Sequence, residues 1–382
     1  MDATFPSAGD VFTDPPTADE VLRISRAAIG ATAPAGGLTS LQAVLLESIY
    51  WAFTGHRVPI AGLEPLDAAE FGATLAHRNQ AFRTRIVQTF LLSELVLSPL
   101  PPDVVDRVGA YAAAVGVDDP FLHTTRLLSR GSLGLAALDF TRNGYVPEAD
   151  VRTSALGFAG TVDDPWAMDC HDPELAARWD TLADLPTDTL GHRVWCFYRA
   201  RGFVVPGRMG SAPPLLAQHD WVHVLADFGT TVESELEVFG FIARANDDPR
   251  AFSLLAMVVS LFETGYLAKG AGLFEYDRGH LSHDGVAVRL ADAMVRGARC
   301  EDHRIGHPDV DFLAVDWFSL ADQTVEAVRD LLGVTPRSDW AATAGSVGPW
   351  EPGGISPFQL AAGRALAEAE GRDYDSYGAC VA

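Results

Sequence analysis

Lysine is almost absent from this chain: of 28 basic residues in 382, Lys269 is the sole lysine, against 51 acidic residues and a formal charge of -23. A chain this acidic repels phosphate backbones and anionic headgroups, which argues against nucleic acid as a partner. The arginine bias is ascribed to genome composition and carries no functional weight. Long hydrophobic runs are missing too. The longest, Ala251 to Phe262, ends at Glu263, well short of the roughly 18–20 residues needed to cross a bilayer, and reads as a buried helix. Met1-Asp2-Ala3-Thr4-Phe5-Pro6 has no basic segment followed by an apolar one, so no secretion signal is expected and a cytoplasmic location follows. Cys170, Cys196, Cys300 and Cys380 form no C-x-x-C pair, and reduced thiols are the simplest expectation. Period-two alternation is scarce, which leaves helices and an all-α fold.

What is present is 48% hydrophobic residues, ample for packed cores and for two helical domains. Residues 1–17, with Pro6, Pro15 and Pro16, read as a leader. Apolar periodicity then predicts helices at Asp19–Ile29, Leu41–Thr54 behind a Thr39 or Ser40 cap, 67–78, 80–98, 103–116 and 121–138, a bundle over 18–145. Gly, Pro, Asp and Thr mark a linker at 146–165. A second domain over 166–334 starts helices at Asp172-Pro173 and Val194, with Leu185 to Gly191 as a loop. Glu235–Ala245 and Pro249–Tyr266 read as core helices, or as one wall of an apolar pocket, and Asp322–Leu332 as the last regular helix. Residues 335–382 look like a tail with a short helix capped at Ser356-Pro357, mobile unless it docks.

One stretch has the composition of a reaction site: His219-Asp220-Trp221-Val222-His223, with Glu235 after an eleven-residue spacer. On a helix, residues four apart lie about 40° apart around the axis and roughly 6 Å along it, so both imidazoles can meet one ion. Asp220 is turned about 100° away, either a ligand or a partner that orients a histidine. Between the histidines and Glu235, Asp227-Phe228-Gly229-Thr230-Thr231 reads as a helix stop and a new start, with Thr230 and Glu233 spaced as a capping box. A helical hairpin would bring Glu235 back over the histidine face. The resulting nitrogen and oxygen set suits zinc, or manganese, iron or cobalt. Spacing by itself leaves structural histidines as a full alternative, but buried acids of one sign are costly unless a cation meets them.

Other polar groups read more plainly. His56 with Arg57, His77 with Arg78, and His123 fall at helix ends, where solvated or capping roles dominate. Glu275, Asp277, His280, His283 and Asp284, then Glu301, Asp302, His303 and His307, lie among Gly270, Gly272, Gly279 and Gly285, where such residues serve turns.

His219-Asp220-x-x-His223-x11-Glu235 resembles the H-D-x-x-H-x11-E motif of the Coq-four family of ubiquinone (coenzyme Q) biosynthesis proteins and their bacterial relatives. The likeness extends to Leu185-Pro186-Thr187-Asp188-Thr189-Leu190-Gly191-His192, to Thr230 inside the spacer, and to the closing segments Asp316-Trp317 and Val325 to Val334, in colinear order over about 166–334. Ser234, Phe239 and Asp227 stand where that family usually has glycine, lysine and glycine. The bundle before it, with apolar helices around Pro99-Leu100-Pro101-Pro102, is similar to TerB-like helical domains of tellurite-resistance proteins.

The Coq-four resemblance implies an all-helical, often dimeric domain that binds zinc or a similar ion through His219, Asp220, His223 and Glu235. It also implies an apolar cavity for a polyprenyl chain, possible membrane contact, and partners among biosynthetic enzymes. The activity implied is oxidative removal of a carboxylate from a quinone-precursor ring, a lyase-type reaction. The alternative is a non-catalytic lipid or quinone carrier with a structural metal and an N-terminal module that stabilises it or recruits partners.

Overall fold

The structure is a computed structural model that describes residues 16–132, 171–212, 214–246, 249–266, 278–303 and 311–374. The described residues are helical, with no strand and a lone bridge between Thr189 and Thr324. In chain order the helices are α1 (Ala18–Thr32), α2 (Ser40–Thr54), α3 (Ala68–Thr74), α4 (Gln80–Leu95), α5 (Pro102–Ala114), α6 (Phe121–Ser129), α7 (Pro173–Asp180) and α8 (Leu190–Arg201). They continue as α9 (Pro214–Ala226), α10 (Val232–Ala245), α11 (Phe252–Val259), α12 (Val286–His303), α13 (Val325–Leu332), α14 (Asp339–Thr343) and α15 (Pro357–Ala369). None is long and apolar enough to cross a membrane.

Local chemistry accounts for most of the boundaries. Thr39 and Gln42 form a reciprocal capping box on α2, and Ser356 and Gln359 another on α15. Pro102 and Pro173 open their helices at a position that needs no amide donor. Several boundaries differ from the sequence reading. The α3 helix ends at Thr74, short of residue 78, α6 ends at Ser129 ahead of left-handed Gly131, and α13 begins at Val325, three residues after Asp322, where Thr324 caps it. The α8 helix begins at Leu190, four residues before Val194, because the Thr189 hydroxyl caps the His192 amide at 3.4 Å. The expected helix over 249–266 breaks into a 3-10 turn, α11, and a π turn at Ser260–Thr264 that ends on left-handed Gly265. The expected extension of α6 past residue 132, the 146–165 linker and most of the leader lie outside the described residues.

The chain folds into two interleaved compact units: Met1–Tyr145, Phe239–His307 and Arg337–Gly345 in one, the remainder in the other. In place of contiguous domains, residues 239–307 group with the N-terminal helices, chiefly through the packing of α12 on α2.

In unit 1, Phe71, Phe90 and Tyr111 pack with ring centroids 5.3 to 6.2 Å apart, joining α3, α4 and α5. Arg78, read from sequence as a solvated helix-end residue, is 8% exposed and pairs with Glu20 on α1, Nε donating to Oε1 at 2.7 Å. The carboxylate offers two oxygens to one guanidinium, which offsets the cost of burying both charges. Glu94 on α4 has no such partner: it is fully buried and neither carboxyl oxygen accepts a hydrogen bond.

In unit 2, α15 packs on α8 closely enough that a Cβ on Gly363 would lie 2.0 Å from the Ala200 carbonyl oxygen. The expected tail is therefore docked from Ser346 to Tyr374, since glycine removes the side chain that would hold the helices apart. Cys196 is disulfide-bonded, and Cys300 is buried and outside any disulfide. The expectation of four reduced thiols fails at Cys196, because sequence spacing carries no trace of a pairing made by tertiary packing.

Burial pushes the Glu94 carboxyl up from 4.5 to about 8, against the opposing pull of Thr125 and Arg126. A carboxyl with a raised folded value favours the folded state below its unfolded value and loses that contribution as pH rises through the folded one. Urea unfolding between pH 5 and pH 9 should therefore show Glu94→Gln gaining stability over the natural chain as pH rises, with the difference largest above pH 8. Parallel curves for the two proteins would show that Glu94 does not titrate as a buried acid.

Candidate metal centre

The α9 helix owes its rotation to what its rear face meets. Trp221, two residues beyond His219 and so about 200° around the helix, is fully buried against Trp179, Trp317 and Phe318, with ring centroids 5.5 to 6.0 Å away. Gln218 donates to the Val315 carbonyl at 3.0 Å, and Arg329 Nε to the Leu225 carbonyl at 2.6 Å. With that face occupied, His219 and His223 turn toward α10, their ring centroids 5.1 Å apart.

The hairpin between α9 and α10 is closed by a left-handed residue. Asp227 has φ 61°, and the Phe228 amide donates back to the His223 carbonyl at 2.9 Å, the 6→1 bond of a Schellman motif. Glycine is the usual occupant of that position, and aspartate is among the few side chains that tolerate it. The start of α10 differs from the expected capping box. Thr231, not Thr230, accepts the Ser234 amide at 3.3 Å, while the Thr230 hydroxyl accepts from Arg201 Nε at 2.8 Å. The docked tail straps the same turn: the Gly229 amide donates to Val347 O and the Thr230 amide to Gly354 O, both at 2.8 Å.

This hairpin brings Glu235 against the two histidines. Glu235 Oε2 lies 3.5 Å from His219 Nε2, and Oε1 lies 3.4 Å from His223 Nε2. All three side chains are buried, and each offers one ligand atom to a common group. Two atoms bound at 2.0–2.2 Å to one tetrahedral ion stand about 3.3–3.6 Å apart. The observed spacings match that edge and exceed the usual length of an N–H···O hydrogen bond. Neither ring nitrogen of His223 makes a hydrogen bond, nor does Glu235 Oε2, although all three atoms are buried. A divalent ion would meet two of these atoms, His223 Nε2 and Glu235 Oε2, while His223 Nδ1 points away from it; the donor set fits zinc or a related first-row metal.

Asp220 stands beside this trio, outside the common group. Its Oδ1 is 3.6 Å from His219 Nε2, and its Oδ2 accepts from the Tyr198 hydroxyl at 2.6 Å. One oxygen is thus committed to Tyr198, and the other faces His219 Nε2, the nitrogen that also faces Glu235, so it is placed to complete a coordination shell and not to orient the ring from its far side. Burial raises the Asp220 carboxyl, opposed by His219 and His223. Burial also pushes Glu235 up, but His223 and His219 outweigh it and hold the carboxyl at about 2, so it is ionised at neutral pH.

Sequence reasoning missed the supports on α8. Phe197 stacks on His223 with centroids 5.6 Å apart and planes at 26°, and the Arg201 guanidinium sits 3.8 Å over the same ring. Arg201 is buried and also donates to Pro349 O at 2.9 Å. Burial lowers its value to about 9, against the raising pull of Tyr374, Asp220 and Glu235, so it keeps its charge at neutral pH. The one available signal was the i, i+3 spacing of Tyr198 and Arg201, which puts a phenol and a cation on one face of an apolar helix.

Comparison with protein families, curated proteins and solved structures finds no match to this chain. The geometry therefore carries the reading of the site. The second polar cluster brings His280 and His283 to a ring separation of 5.1 Å within a 3-10 turn, while Glu275, Asp277 and His307 lie outside the described residues.

Changing Tyr198 to Phe leaves the buried Asp220 Oδ2 without its donor. The expected loss is about 1–3 kcal/mol of stability, the cost of an unsatisfied buried acceptor. Denaturant unfolding of metal-free protein measures it. A change within about 0.5 kcal/mol, ordinary for a surface substitution, would mean that the hydroxyl does not hold Asp220.

Proposed function

We propose that this protein is a metal-binding protein like those of the Coq-four family, acting on an apolar aromatic acid of the quinone-precursor type with loss of its ring carboxylate as carbon dioxide. The supporting observation is the tetrahedral-edge spacing of His219, His223 and Glu235 in a buried site, in the order and spacer of the motif noted in the sequence. A divalent ion held there would supply Lewis acidity to a phenolate or carboxylate oxygen and would stabilise the charge that develops as carbon dioxide leaves, the ring carbon then taking a proton from water in its place.

The chain's own residues have separable tasks in this reading. His219, His223 and Glu235 hold the ion, and ionised Glu235 offsets part of its charge. Tyr198 holds Asp220, whose free oxygen faces the same His219 nitrogen as Glu235 does and so stands where a further donor to the ion would be. Phe197 shields His223 from water, and Arg201 behind it adds a fixed positive charge. Ser234, where the family usually has glycine, hydrogen-bonds with Thr231 and leaves the ligands undisturbed. Phe239 offers no charge to an anionic substrate group where a lysine would.

A second reading, a lipid or quinone carrier with a structural metal, draws on Asp220. A fourth protein donor, Asp220 Oδ1, 3.6 Å from His219 Nε2, can close the shell, whereas catalytic sites keep a position for water or substrate.

Elemental analysis of purified protein should find one divalent ion per chain, lost in His219→Ala and Glu235→Ala and retained, about 10- to 100-fold more weakly, in Asp220→Asn. Full metal content in Glu235→Ala would end the metal reading. Carbon dioxide release from a prenylated hydroxybenzoate by the metal-loaded protein favours the enzyme, and stoichiometric binding without release favours the carrier.

A further inference from the structure

Unit 1 contains a cleft of its own. Helices α1, α2, α4, α10, α11 and α12 enclose about 820 Å³ of empty space, counted out to open solvent, with a void of about 70 Å³ inside it. Protein interiors are otherwise packed as densely as organic crystals, so a void of this size among core helices is an exception. Val21, Ile24, Phe53, Phe82, Leu255 and Met294 line it and are buried, whereas Thr54, Arg85 and Ile86 are half-buried and mark its mouth. Most of the lining comes from α1, α2 and α4, ahead of the segment that resembles the Coq-four family, so that resemblance does not account for it.

The polar side chains on the wall are engaged by protein. Tyr50 and Thr89 share a hydrogen bond of 3.1 Å, the Thr54 hydroxyl donates to Tyr50 O at 2.6 Å, and Gln88 Nε2 donates to Asp119 Oδ2 at 3.0 Å. Arg85 donates to Asn246 O at 2.8 Å and to Gln88 Oε1 at 3.3 Å. Arg244 is buried with its guanidinium 5.7 Å from the centre of the Phe53 ring and is likewise engaged. A water molecule needs two to four polar partners, so this void offers it little and stays dry. A carboxylate drawn inside would lose its hydration and find no free donor, which is costly. An ammonium would meet two guanidinium groups and no acidic lining residue, so like charges would oppose it. A neutral apolar group meets neither cost.

Size decides which apolar group fits. A dry cavity that takes benzene measures about 150 Å³, about twice this void, so an aromatic ring is too large. Two or three methylene groups, each close to the ~30 Å³ share of a water molecule, fill it. We propose that this cleft binds a neutral alkyl chain, its end in the void and the rest running past Ile86 to the mouth. Burial of apolar surface is the whole of the driving force, and the engaged wall groups exclude charged chains of the same length. This binding does not rest on the metal reading, because every residue it uses belongs to unit 1.

Titration of the full chain with 1-hexanol, hexanoate, hexylammonium and benzyl alcohol tests it, read at the methionine methyl resonance that Met294→Leu removes. Hexanol should shift that resonance and bind at least tenfold tighter than the other three, and affinity should rise about fourfold per methylene from 1-butanol to 1-hexanol. Leu255→Phe, which fills the void, should weaken hexanol at least tenfold. Ile86→Phe, at the half-buried mouth, serves the same end if the more buried variant does not fold. Binding of a charged probe or of benzyl alcohol as tight as that of hexanol, no shift at Met294, or unchanged affinity in the filled variant would overturn the proposal. His219→Ala should leave hexanol binding intact, so failure of the metal reading and failure of this one are read separately.

Discussion

Glu235 stands buried between two imidazoles, and unit 2 is built around keeping it there. Its oxygens lie 3.4 and 3.5 Å from the histidine nitrogens, too long for good hydrogen bonds and right for two edges of a coordination tetrahedron. Removing a carboxylate from water costs several kcal/mol unless a positive partner replaces the hydration, so the arrangement needs a cation or protonated histidine. His223 Nε2 and Glu235 Oε2 are both buried and unbonded, and one ion between them would satisfy the two together.

Holding three side chains to a few tenths of an ångström takes support from every side. Tryptophans set the rotation of α9, the Schellman turn at Asp227 sets where α10 begins, and Phe197 presses on His223. Arg201 joins these supports to the docked tail by donating to Thr230 and to the carbonyl of Pro349. The tail is thus part of the scaffold: its backbone carbonyls at Val347 and Gly354 accept from the amides of the turn. A helical hairpin with this sequence and no tail would leave those donors to water and the turn free to relax.

Unit 1 shows a different balance. Its ion pair between Glu20 and Arg78 is complete, whereas Glu94 is buried without a hydrogen bond and is most stable as a neutral acid.

Helical class, most helix starts and the shared face of His219 and His223 were legible in the chain itself, because each depends on neighbours a few residues away. Thr39 with Gln42 and Pro102 are local signals, and the four-residue step from His219 to His223 places both rings on one face of any helix. Even the missing glycine at position 227 pointed to the turn, since aspartate tolerates the same left-handed backbone. Other features were set by residues far apart in sequence. Thr231 rather than Thr230 caps α10 because Arg201, 29 residues away, engages the Thr230 hydroxyl. Residues 239–307 join the N-terminal helices because α12 packs on α2, and the tail docks because Gly363 lets α15 lie against α8. Periodicity states which face of a helix is apolar, and only the folded chain decides which other apolar face covers it.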